Sequence, residues 1–246
     1  MSALSCDDLH VTYPGGVQAL RGVSLRVSEG ETVALVGESG SGKTTLLKCF
    51  NRMVRPSGGR VEVDRTSVDA VAVEGLRRSI GYVQQDGGLL PHWSVRENIE
   101  LVPWLLDWPR ERRVARSREL LELVGLDPAS FADRRPSALS GGQRQRVAFA
   151  RALAADPRVL LLDEPFGALD PVLRTELQDE VARWQRDLHK TTLLVTHDMA
   201  EALRLGDRVV VLRDGAVQQQ ASAAELRAAP ANGYVRALLR ASGSVA

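Results

Sequence analysis

The stretch Gly37-Glu38-Ser39-Gly40-Ser41-Gly42-Lys43-Thr44-Thr45 matches the pattern G-x-x-x-x-G-K-[ST] of a phosphate-binding loop, and it decides the fold. Residues 32–36 before it are apolar and rich in β-branched side chains, which predicts a strand buried on both faces. A helix is predicted after it, because apolar side chains recur at helical spacing: Leu46, Leu47, Phe50, Met53 and Val54. The loop therefore joins a buried strand to a helix N-terminus, a junction that binds anions.

Each residue type in this loop suits phosphate. Gly37, Gly40 and Gly42 tolerate backbone angles closed to other residues, so successive N–H groups can turn toward an anion. Lys43 is expected to contact the β and γ phosphates, and the Thr44 hydroxyl to bind Mg²⁺. We expect the loop to bind a nucleoside triphosphate. The alternative, a glycine-rich turn that binds nothing, does not explain why the strand, the Lys-Thr pair and the helix occur together.

Composition describes a globular chain. Of the 246 residues, 44% are hydrophobic and 26% charged, which suits one large α/β domain with a smaller insertion. No apolar run approaches the roughly 18 residues of a membrane span, and the first residues show no export signal. Cys6 and Cys49 predict a reduced compartment without a disulfide, with Cys49 as a small apolar filler.

The net charge of +1 gives no reason to expect a polyanionic partner. Basic side chains concentrate at residues 110–118, where five arginines interleave with Glu111 and Val114. Because Val114 continues to Leu121 and Val124 at helical spacing, we favour a solvated helix face over a nucleic-acid-binding patch.

Alternating runs at 9–13, 23–27 and 60–64 predict antiparallel strands. Tyr13 ends the first run beside the turn-rich residues 14–16. An aromatic side chain at this position suits either a packed core or stacking on a purine base, and both remain open at this point.

Helical signals dominate residues 86–138 and predict a helical insertion. Ser94 and Glu97 have the spacing of a capping box, and Pro109 and Gly125 are expected to start and end a second helix. This region also contains three tryptophans, which suit either an anchored partner surface or the packing of a small core: Trp93, Trp104 and Trp108.

A second glycine-rich helix start lies at residues 139–146. Ser140, Gly141 and Gly142 offer a hydroxyl group and N–H groups to an anion. Because this segment lacks the lysine of a phosphate loop, we expect it to complete a phosphate site and not to form one alone.

Chemically active side chains follow two further buried strands, predicted at 159–162 and 193–196. Asp163 is expected to hold Mg²⁺ directly or through water, and Glu164 to polarise the water that attacks the γ-phosphate. Acids at a strand end can instead cap a helix, and a lone histidine is usually uninvolved in chemistry. However, His197 ends a strand at the same predicted sheet edge, which favours a γ-phosphate sensor.

Together these motifs resemble the ATPase subunit of ATP-binding cassette (ABC) transporters over nearly the whole chain. The resemblance implies an α/β fold: a P-loop NTPase (RecA-like) core with a mainly parallel sheet, an N-terminal antiparallel β subdomain and an inserted helical subdomain. Within a single domain of residues 1–246, the core would comprise 1–85 and 151–246. The helical subdomain with the signature motif would comprise 86–150.

The family pattern also implies a role for each motif residue. The residues expected to be catalytic are Glu164 as the base, His197 as the switch histidine, and Lys43. Those expected to hold Mg²⁺ are Thr44, Gln85 and Asp163. Those expected to bind ATP are Tyr13 against adenine, Gly37, Glu38, Ser39, Gly40, Ser41, Gly42, Lys43, Thr44 and Thr45 of the Walker A loop, Gln85 of the Q-loop, Ser140, Gly141, Gly142 and Gln143 of the signature, and Asp170 of the D-loop.

Two positions depart from a simple match. Gln84 stands beside Gln85, and the resemblance favours Gln85 for the Q-loop, because in the family this glutamine lies five residues after the first apolar residue of the strand, here Ile80. Arg65 stands where a turn glycine is usual.

The resemblance implies partners as well. In such proteins two subunits pair head to tail, and the signature of one covers ATP on the Walker A loop of the other. A second copy of the chain, permease subunits docking near residues 86–98 and, indirectly, a substrate-binding protein are therefore expected. The chain would lie peripherally on the cytoplasmic face of the cell membrane, with no nucleic-acid partner.

The nearest likeness within the family is to importers of quaternary amines and other compatible solutes, such as glycine betaine, choline or carnitine. It is carried by five stretches, 51–53, 80–83, 88–92, 101–103 and 188–192. Many such subunits carry paired regulatory CBS domains after the cassette, and we expect none here.

Three alternatives remain. The first is the ATPase subunit of an amino-acid or methionine importer. The second is a soluble cassette protein acting on nucleic acid or ribosomes, which the single cassette and the lack of a basic face disfavour. The third is a non-hydrolysing binding module, which the presence of Lys43 and Glu164 disfavours.

Overall fold

The structure is a computed structural model that describes residues 2–243, so the first and the last three residues of the predicted domain lie outside it. The chain divides into two compact units. The first holds the residues up to Arg77 and those from Leu188 onward, and the second holds 78–187. The predicted division into a core and a helical subdomain at 86–150 has different boundaries and stays a prediction.

The secondary structure is mixed, and short 3₁₀ turns at 68–70 and 136–138 complete it. The elements in chain order are β1 (Ser2–Thr12), β2 (Gln18–Ser28), β3 (Thr32–Val36), α1 (Lys43–Phe50), β4 (Gly58–Val63), β5 (Thr66–Ser67), α2 (Val73–Ser79), β6 (Ile80–Val83), α3 (Val95–Leu105), α4 (Arg110–Leu123), α5 (Pro128–Phe131), α6 (Gly141–Leu153), β7 (Val159–Asp163), α7 (Pro171–Leu188), β8 (Thr191–Thr196), α8 (Met199–Leu205), β9 (Arg208–Arg213), β10 (Ala216–Ala221), α9 (Ala223–Ala228) and α10 (Gly233–Ala241).

The first unit contains the predicted antiparallel sheet, in the strand order β2-β1-β4-β5. Burial alternates along β2, where Val23, Leu25 and Val27 are buried and the residues between them are exposed. This alternation is the pattern of a sheet with one face covered and one face solvated. The predicted antiparallel strands are therefore confirmed.

A second, mainly parallel group of strands in the first unit contains the strand predicted before the phosphate loop. β3 pairs in parallel with β8 on one side and with β9 on the other, and β10 pairs antiparallel with β9. All five residues of β3 are buried, as predicted for a strand covered on both faces. Each fully buried Val or Leu side chain stabilises the fold by about 1.5–3 kcal/mol.

The helix after the loop is shorter than predicted. α1 ends at Phe50, so the prediction that Met53 and Val54 continue it was wrong, and Met53 is 46% exposed. The Asn51 side chain accepts a hydrogen bond from the Met53 N–H at 3.1 Å, and Arg52 has a left-handed φ of 52°. A short polar side chain that bonds to nearby backbone competes with the helical pattern and ends the helix here.

The second unit begins with β6, which pairs in parallel with β7, and is otherwise largely helical. The predicted capping box at the start of α3 is present: Ser94 Oγ accepts from the Glu97 N–H at 3.2 Å, and the Glu97 carboxylate accepts from the Ser94 N–H at 2.6 Å. Those hydrogen bonds to Ser94 lower the pKa of Glu97. α4 follows Pro109, and Gly125 has a left-handed φ of 70° just after its end, also as predicted.

The apolar face of α4 lies at a different register from the predicted one. Val114 is 38% exposed, whereas Ser117, Leu120 and Leu121 are buried. The inward position one turn before Ser117 belongs to Arg113, whose guanidinium pairs with Glu100 of α3 at 3.4 Å. The prediction that Val114 faces inward was wrong because an ion pair and an aliphatic arginine stem take that place.

The three tryptophans do not form a small core. Trp104 is 53% exposed, and its ring meets that of Trp93 edge to face at 6.4 Å between centroids. The Arg112 guanidinium lies over the Trp108 ring, 3.5 Å from the ring centroid, a cation–π contact. Of the two alternatives that the sequence left open, small-core packing is therefore excluded for Trp104.

Both cysteines are buried free thiols, and burial raises the pKa of each to about 12. Cys49 is thus the apolar filler that was predicted. Within residues 2–243, no helix combines the length and the apolar character that crossing a bilayer requires.

The turn between β4 and β5 offers a test of backbone strain. Val63 pairs with Thr66, so Asp64 and Arg65 form a two-residue hairpin loop, with φ values of 48° and 63°. Both angles are those of a type I′ turn, whose second position favours glycine. Arg65→Gly is expected to raise the free energy of unfolding by about 0.5–1 kcal/mol, which a urea titration would measure.

Arg60→Gly is the matched control, because Arg60 lies on β4 opposite Asp7 and outside the left-handed region. There, glycine only adds freedom to the unfolded chain, so stability should fall by about 0.5–1 kcal/mol. A loss of stability in Arg65→Gly as large as in the control would contradict the strain argument.

Candidate functional site

The phosphate loop reverses sharply between β3 and α1. Gly37 has a φ of 156°, and a Cβ atom there would lie 2.2 Å from the Leu212 carbonyl oxygen. Gly42, which precedes α1, has a φ of 100°, and its Cβ would lie 2.5 Å from the Ala19 carbonyl oxygen. Only glycine fits at these two positions, because the backbones of β9 and β2 pass directly against the loop.

Lys43 lies buried inside this loop. Its ammonium group donates to the carbonyl oxygens of Gly37 and Glu38, both at 2.8 Å, and approaches Ser41 Oγ at 3.4 Å. A phosphate oxygen would have to replace one of these acceptors for the predicted contact to form. The predicted role of Lys43 thus requires an exchange of hydrogen-bond partners and stays a prediction.

Tyr13 follows β1 and lies beside the loop. Its hydroxyl is 3.2 Å from Thr45 Oγ1, and the side chain is 39% exposed. This exposure excludes the core alternative that the sequence left open. An exposed ring at the edge of a phosphate loop fits the predicted stacking on adenine, which stays a prediction.

His197 reaches the same edge of the parallel strands as the loop. Val36 of β3 pairs with Thr196 of β8, so Gly37 and His197 directly follow paired residues. His197 is exposed, and Thr196 Oγ1 accepts from the Asp198 N–H at 3.0 Å, which shapes the turn. Tyr13, the loop 37–45 and His197 therefore all belong to the first unit.

The other predicted residues belong to the second unit. Val83 of β6 pairs with Leu162 of β7, so Gln84 and Asp163 directly follow paired residues at one edge. The buried Asp163 carboxylate accepts from the Tyr82 hydroxyl at 3.3 Å. Burial raises the pKa of Tyr82, and the negative charge of Asp163 raises it further.

Glu164 has an unusual backbone, which the sequence did not reveal. Its φ is 47°, in the left-handed region, and its side chain is half-buried directly after β7. A non-glycine residue in this conformation is strained. Such strain is concentrated at functional sites. The geometry supports the predicted catalytic role of Glu164, which stays a prediction.

The segment after β6 distinguishes the two adjacent glutamines. The side-chain amide of Gln84 packs so closely on Gly88 that a Cβ there would lie 2.8 Å from it, whereas Gln85 is exposed. The Gln84 carbonyl accepts from the Gly87 N–H at 2.9 Å. This arrangement fits the assignment of Gln85 to the Q-loop, which stays a prediction.

Arg151 of α6 holds this segment and was not singled out from the sequence. Its buried guanidinium donates to the carbonyl oxygens of Gly87 at 2.7 Å and Gly88 at 2.6 Å. Burial lowers the pKa of Arg151, and the negative charge of Asp86 opposes that shift. In the sequence, the adjacent glycines Gly87 and Gly88 could have indicated a tight turn, and both have left-handed φ values in the structure. No residue pattern indicated that Arg151 would bind them.

The signature residues start α6 with a second capping box. Ser140 Oγ accepts from the Gln143 N–H at 3.2 Å, and the Gln143 side chain accepts from the Ser140 N–H at 3.0 Å. A Cβ on Gly142 would lie 2.4 Å from Leu173 of α7, whose N–H donates to the Asp170 carboxylate at 3.1 Å. The predicted signature and D-loop residues are therefore neighbours within the second unit.

The residues predicted to hold Mg²⁺ have suitable chemistry. Thr44, Gln85 and Asp163 supply a hydroxyl, an amide and a carboxylate, which are hard oxygen donors of the kind that Mg²⁺ binds together with substrate phosphates. Asp163 is buried at a strand end with one carboxylate oxygen bonded to Tyr82. The donor set fits the ion.

The chain is similar to known proteins. The profile of the ABC transporter family matches residues 20–167. The choline transport ATP-binding protein OpuBA of Bacillus subtilis is 47% identical over 94% of this chain and 61% of its own length. The glycine betaine uptake system ATP-binding protein YehX of Escherichia coli is 48% identical over 92% of this chain and 74% of its own length.

Solved structures share the fold. CbiO1 from Clostridium perfringens, part of the ABC transporter complex CbiONQ, superposes with a TM-score of 0.84 at 32% identity over 92% of this chain and 91% of its own. The ATP-binding cassette MJ0796, solved as a dimer bound to ADP and Pi, gives 0.80 at 35% identity over 89% of this chain and 98% of its own.

The chain spans about three fifths of the length of the first curated relatives it matches. The predicted α/β fold class is confirmed by the mixed sheets and by these structural neighbours. The family profile covers more than half of the chain, and the relatives align with nearly all of it. This chain belongs to the ABC transporter family.

Proposed function

We propose that this chain is the ATP-hydrolysing, nucleotide-binding subunit of an ABC importer. The observation that carries the proposal is Lys43, a buried ammonium group held by the carbonyl oxygens of a glycine-rich loop at a helix N-terminus. Backbone N–H groups, the helix dipole and a fixed cation together suit a polyphosphate. The relatives support the proposal, since those compared above are named as ATP-binding proteins of transport systems.

The proposed chemistry assigns one role to each predicted residue. Thr44, Gln85 and Asp163 would hold Mg²⁺, which would supply positive charge to neutralise the phosphates. Glu164 would accept a proton from the attacking water, and His197 would contact the γ-phosphate. Tyr13 would stack on adenine, and Asp170 would contribute from the D-loop.

We propose that two copies act together. The signature start at Ser140, Gly141 and Gly142 offers a helix N-terminus to an anion but carries no lysine of its own. Such an incomplete site is useful when it covers a nucleotide on the loop of a second copy. The dimeric structures of MJ0796 support this arrangement.

Residues 86–98 are proposed to receive a helix of a separate permease subunit. Leu90 is exposed in this segment, and the exposed Trp104 lies against Trp93. Exposed apolar side chains gathered in one place mark protein contacts. The chain would thus lie peripherally on the cytoplasmic face of the membrane, and a substrate-binding protein would act through the permease.

The proposed cargo is a quaternary amine or similar compatible solute, such as glycine betaine, choline or carnitine. The relatives named for choline and glycine betaine transport support this choice over an amino acid or methionine. The chain itself would not contact the solute.

The loop assignment predicts that Lys43→Ala weakens ATP binding. Removing a charge-assisted contact to phosphate should raise the dissociation constant about 10- to 100-fold. Titration with ATP would measure it, with thermal unfolding to verify that the variant is folded. Lys48→Ala, a half-exposed lysine on the same helix, should retain the wild-type affinity. Equal affinity of both variants would contradict the assignment.

The base assignment predicts that Glu164→Gln binds ATP normally and loses turnover. Loss of a general base should slow hydrolysis by about 10²- to 10⁴-fold. The backbone should tolerate the change, because glutamine has the same cost as glutamate at a φ of 47°. Phosphate release would measure the rate of hydrolysis. Light scattering of Glu164→Gln in the presence of Mg-ATP should show dimers, because the bound ATP is not hydrolysed.

Glu176→Gln provides the control, since Glu176 is exposed on α7. Its turnover should equal that of the wild type. If Glu164→Gln kept more than half of the wild-type rate, Glu164 would not be the base.

The test of the whole function is uptake. Cells lacking this subunit should lose uptake of labelled glycine betaine or choline while retaining that of a control amino acid, because the subunit energises only its own permease. Restoring the wild-type chain should restore uptake, and restoring Glu164→Gln should not. Loss of only the amino-acid uptake would assign the cargo to the amino-acid importers instead.

A further inference from the structure

Three segments distant in sequence contact the phosphate loop within the first unit. The Leu212 carbonyl of β9 presses on Gly37, and the Gly215 N–H donates to the Ser41 carbonyl at 3.2 Å. The third contact comes from α10, where the Tyr234 hydroxyl accepts a hydrogen bond from the Glu38 N–H at 3.2 Å. The end of β9, the turn after it and the C-terminal helix therefore all touch the loop.

The hydrogen bond from Glu38 to Tyr234 is distinctive because the same residue also bonds to Lys43. The Glu38 N–H donates to Tyr234, and the Glu38 carbonyl accepts from the Lys43 ammonium at 2.8 Å. The proposed binding of phosphate would take Lys43 away from such carbonyls. The hydrogen bond from the Glu38 N–H to Tyr234 would then remain after the Glu38 carbonyl has lost its bond to Lys43.

Tyr234 is itself held firmly in place. Asn232 caps α10 by accepting from the Val235 N–H at 3.0 Å, and its amide donates to Gln218 of β10 at 3.2 Å. Val235 anchors the helix as a fully buried side chain. The Arg213 guanidinium lies 4.7 Å from the centroid of the Tyr234 ring, a cation–π contact.

The Tyr234 hydroxyl is protonated at physiological pH, and its oxygen accepts the hydrogen bond from the Glu38 N–H. Burial raises the pKa of Tyr234 above its ordinary value near 10, although the bond from the Glu38 N–H opposes that shift. The group therefore stays neutral at physiological pH and accepts one hydrogen bond from the backbone.

We propose that Tyr234 is a positioning residue for the nucleotide: by fixing the Glu38 peptide from α10, it keeps the loop 37–45 in shape while Lys43 exchanges its carbonyl partners for phosphate. The inference rests on the proposed function, because it requires that the loop bind ATP. It assigns to the C-terminal helix a part in nucleotide affinity. Tyr234 does not touch the nucleotide and takes no part in the reaction itself.

The test is Tyr234→Phe in the full chain, a change that keeps the ring under Arg213 and removes only the hydroxyl. The net value of one hydrogen bond predicts an ATP dissociation constant about two- to tenfold higher. Substrate and transition state should lose the same amount of binding free energy. KM should therefore rise while kcat stays within twofold of wild type. The thermal midpoint without nucleotide should fall by roughly 2–4 °C, because the same hydrogen bond is present in the nucleotide-free chain.

Two further variants sharpen the result. Arg236→Ala, on the exposed side of α10, is the matched control and should bind ATP as the wild type does. Glu38→Pro removes the N–H donor itself, so adding Tyr234→Phe to it should cause no further loss of affinity. If Glu38→Pro does not fold, the titration of Tyr234→Phe against the control decides.

The outcomes separate this inference from the proposed function. Failure of the wild-type chain to bind ATP would overturn both. Normal ATP binding by the wild type with unchanged affinity in Tyr234→Phe would overturn only the role of Tyr234. A lowered thermal midpoint with unchanged ATP affinity would show that the hydrogen bond merely attaches the helix, and it would overturn the inference equally.

Discussion

The structure of the first unit depends on the close approach of three backbones at the phosphate loop. The carbonyl oxygens of Leu212 and Ala19 occupy the space that side chains at Gly37 and Gly42 would need. Because no other residue fits these positions, β3 can turn directly into α1 with β9 and β2 against the loop. Lys43, the first residue of α1, is buried inside this loop.

A buried ammonium group is costly unless it is hydrogen-bonded, and here the loop supplies the acceptors. The carbonyl oxygens of Gly37 and Glu38 hold the charge inside the loop. Binding would then replace acceptors around a cation that is already desolvated and fixed, so little further ordering is required. The hydrogen bond from the Glu38 N–H to Tyr234 likewise fixes part of the loop before a nucleotide binds.

The second unit fixes its reactive side chains at the ends of two paired strands. Asp163 ends β7 next to Tyr82 of β6, and Glu164 directly follows the strand with a left-handed backbone. The segment after β6 is held by Arg151 of α6, the helix that begins with the signature. Because Arg151 lies in the last turn of α6, these hydrogen bonds attach the segment to the C-terminal end of that helix.

The sequence by itself determined the features that depend on neighbouring residues: the buried strand and glycine loop at 32–45, the capping box at Ser94, the glycine-rich helix start at 139–146, and the strand that delivers Asp163. These features are encoded by side chains within a few positions of each other, so their spacing is readable. Only the tertiary structure decided the register of α4, the hold of Arg151 on Gly87 and the contact of Tyr234 with Glu38. The last pair is separated by 196 positions in the chain. Such contacts are set by how β9, β10 and the C-terminal helix pack, and a local pattern carries no record of which distant atoms that packing brings within hydrogen-bond distance.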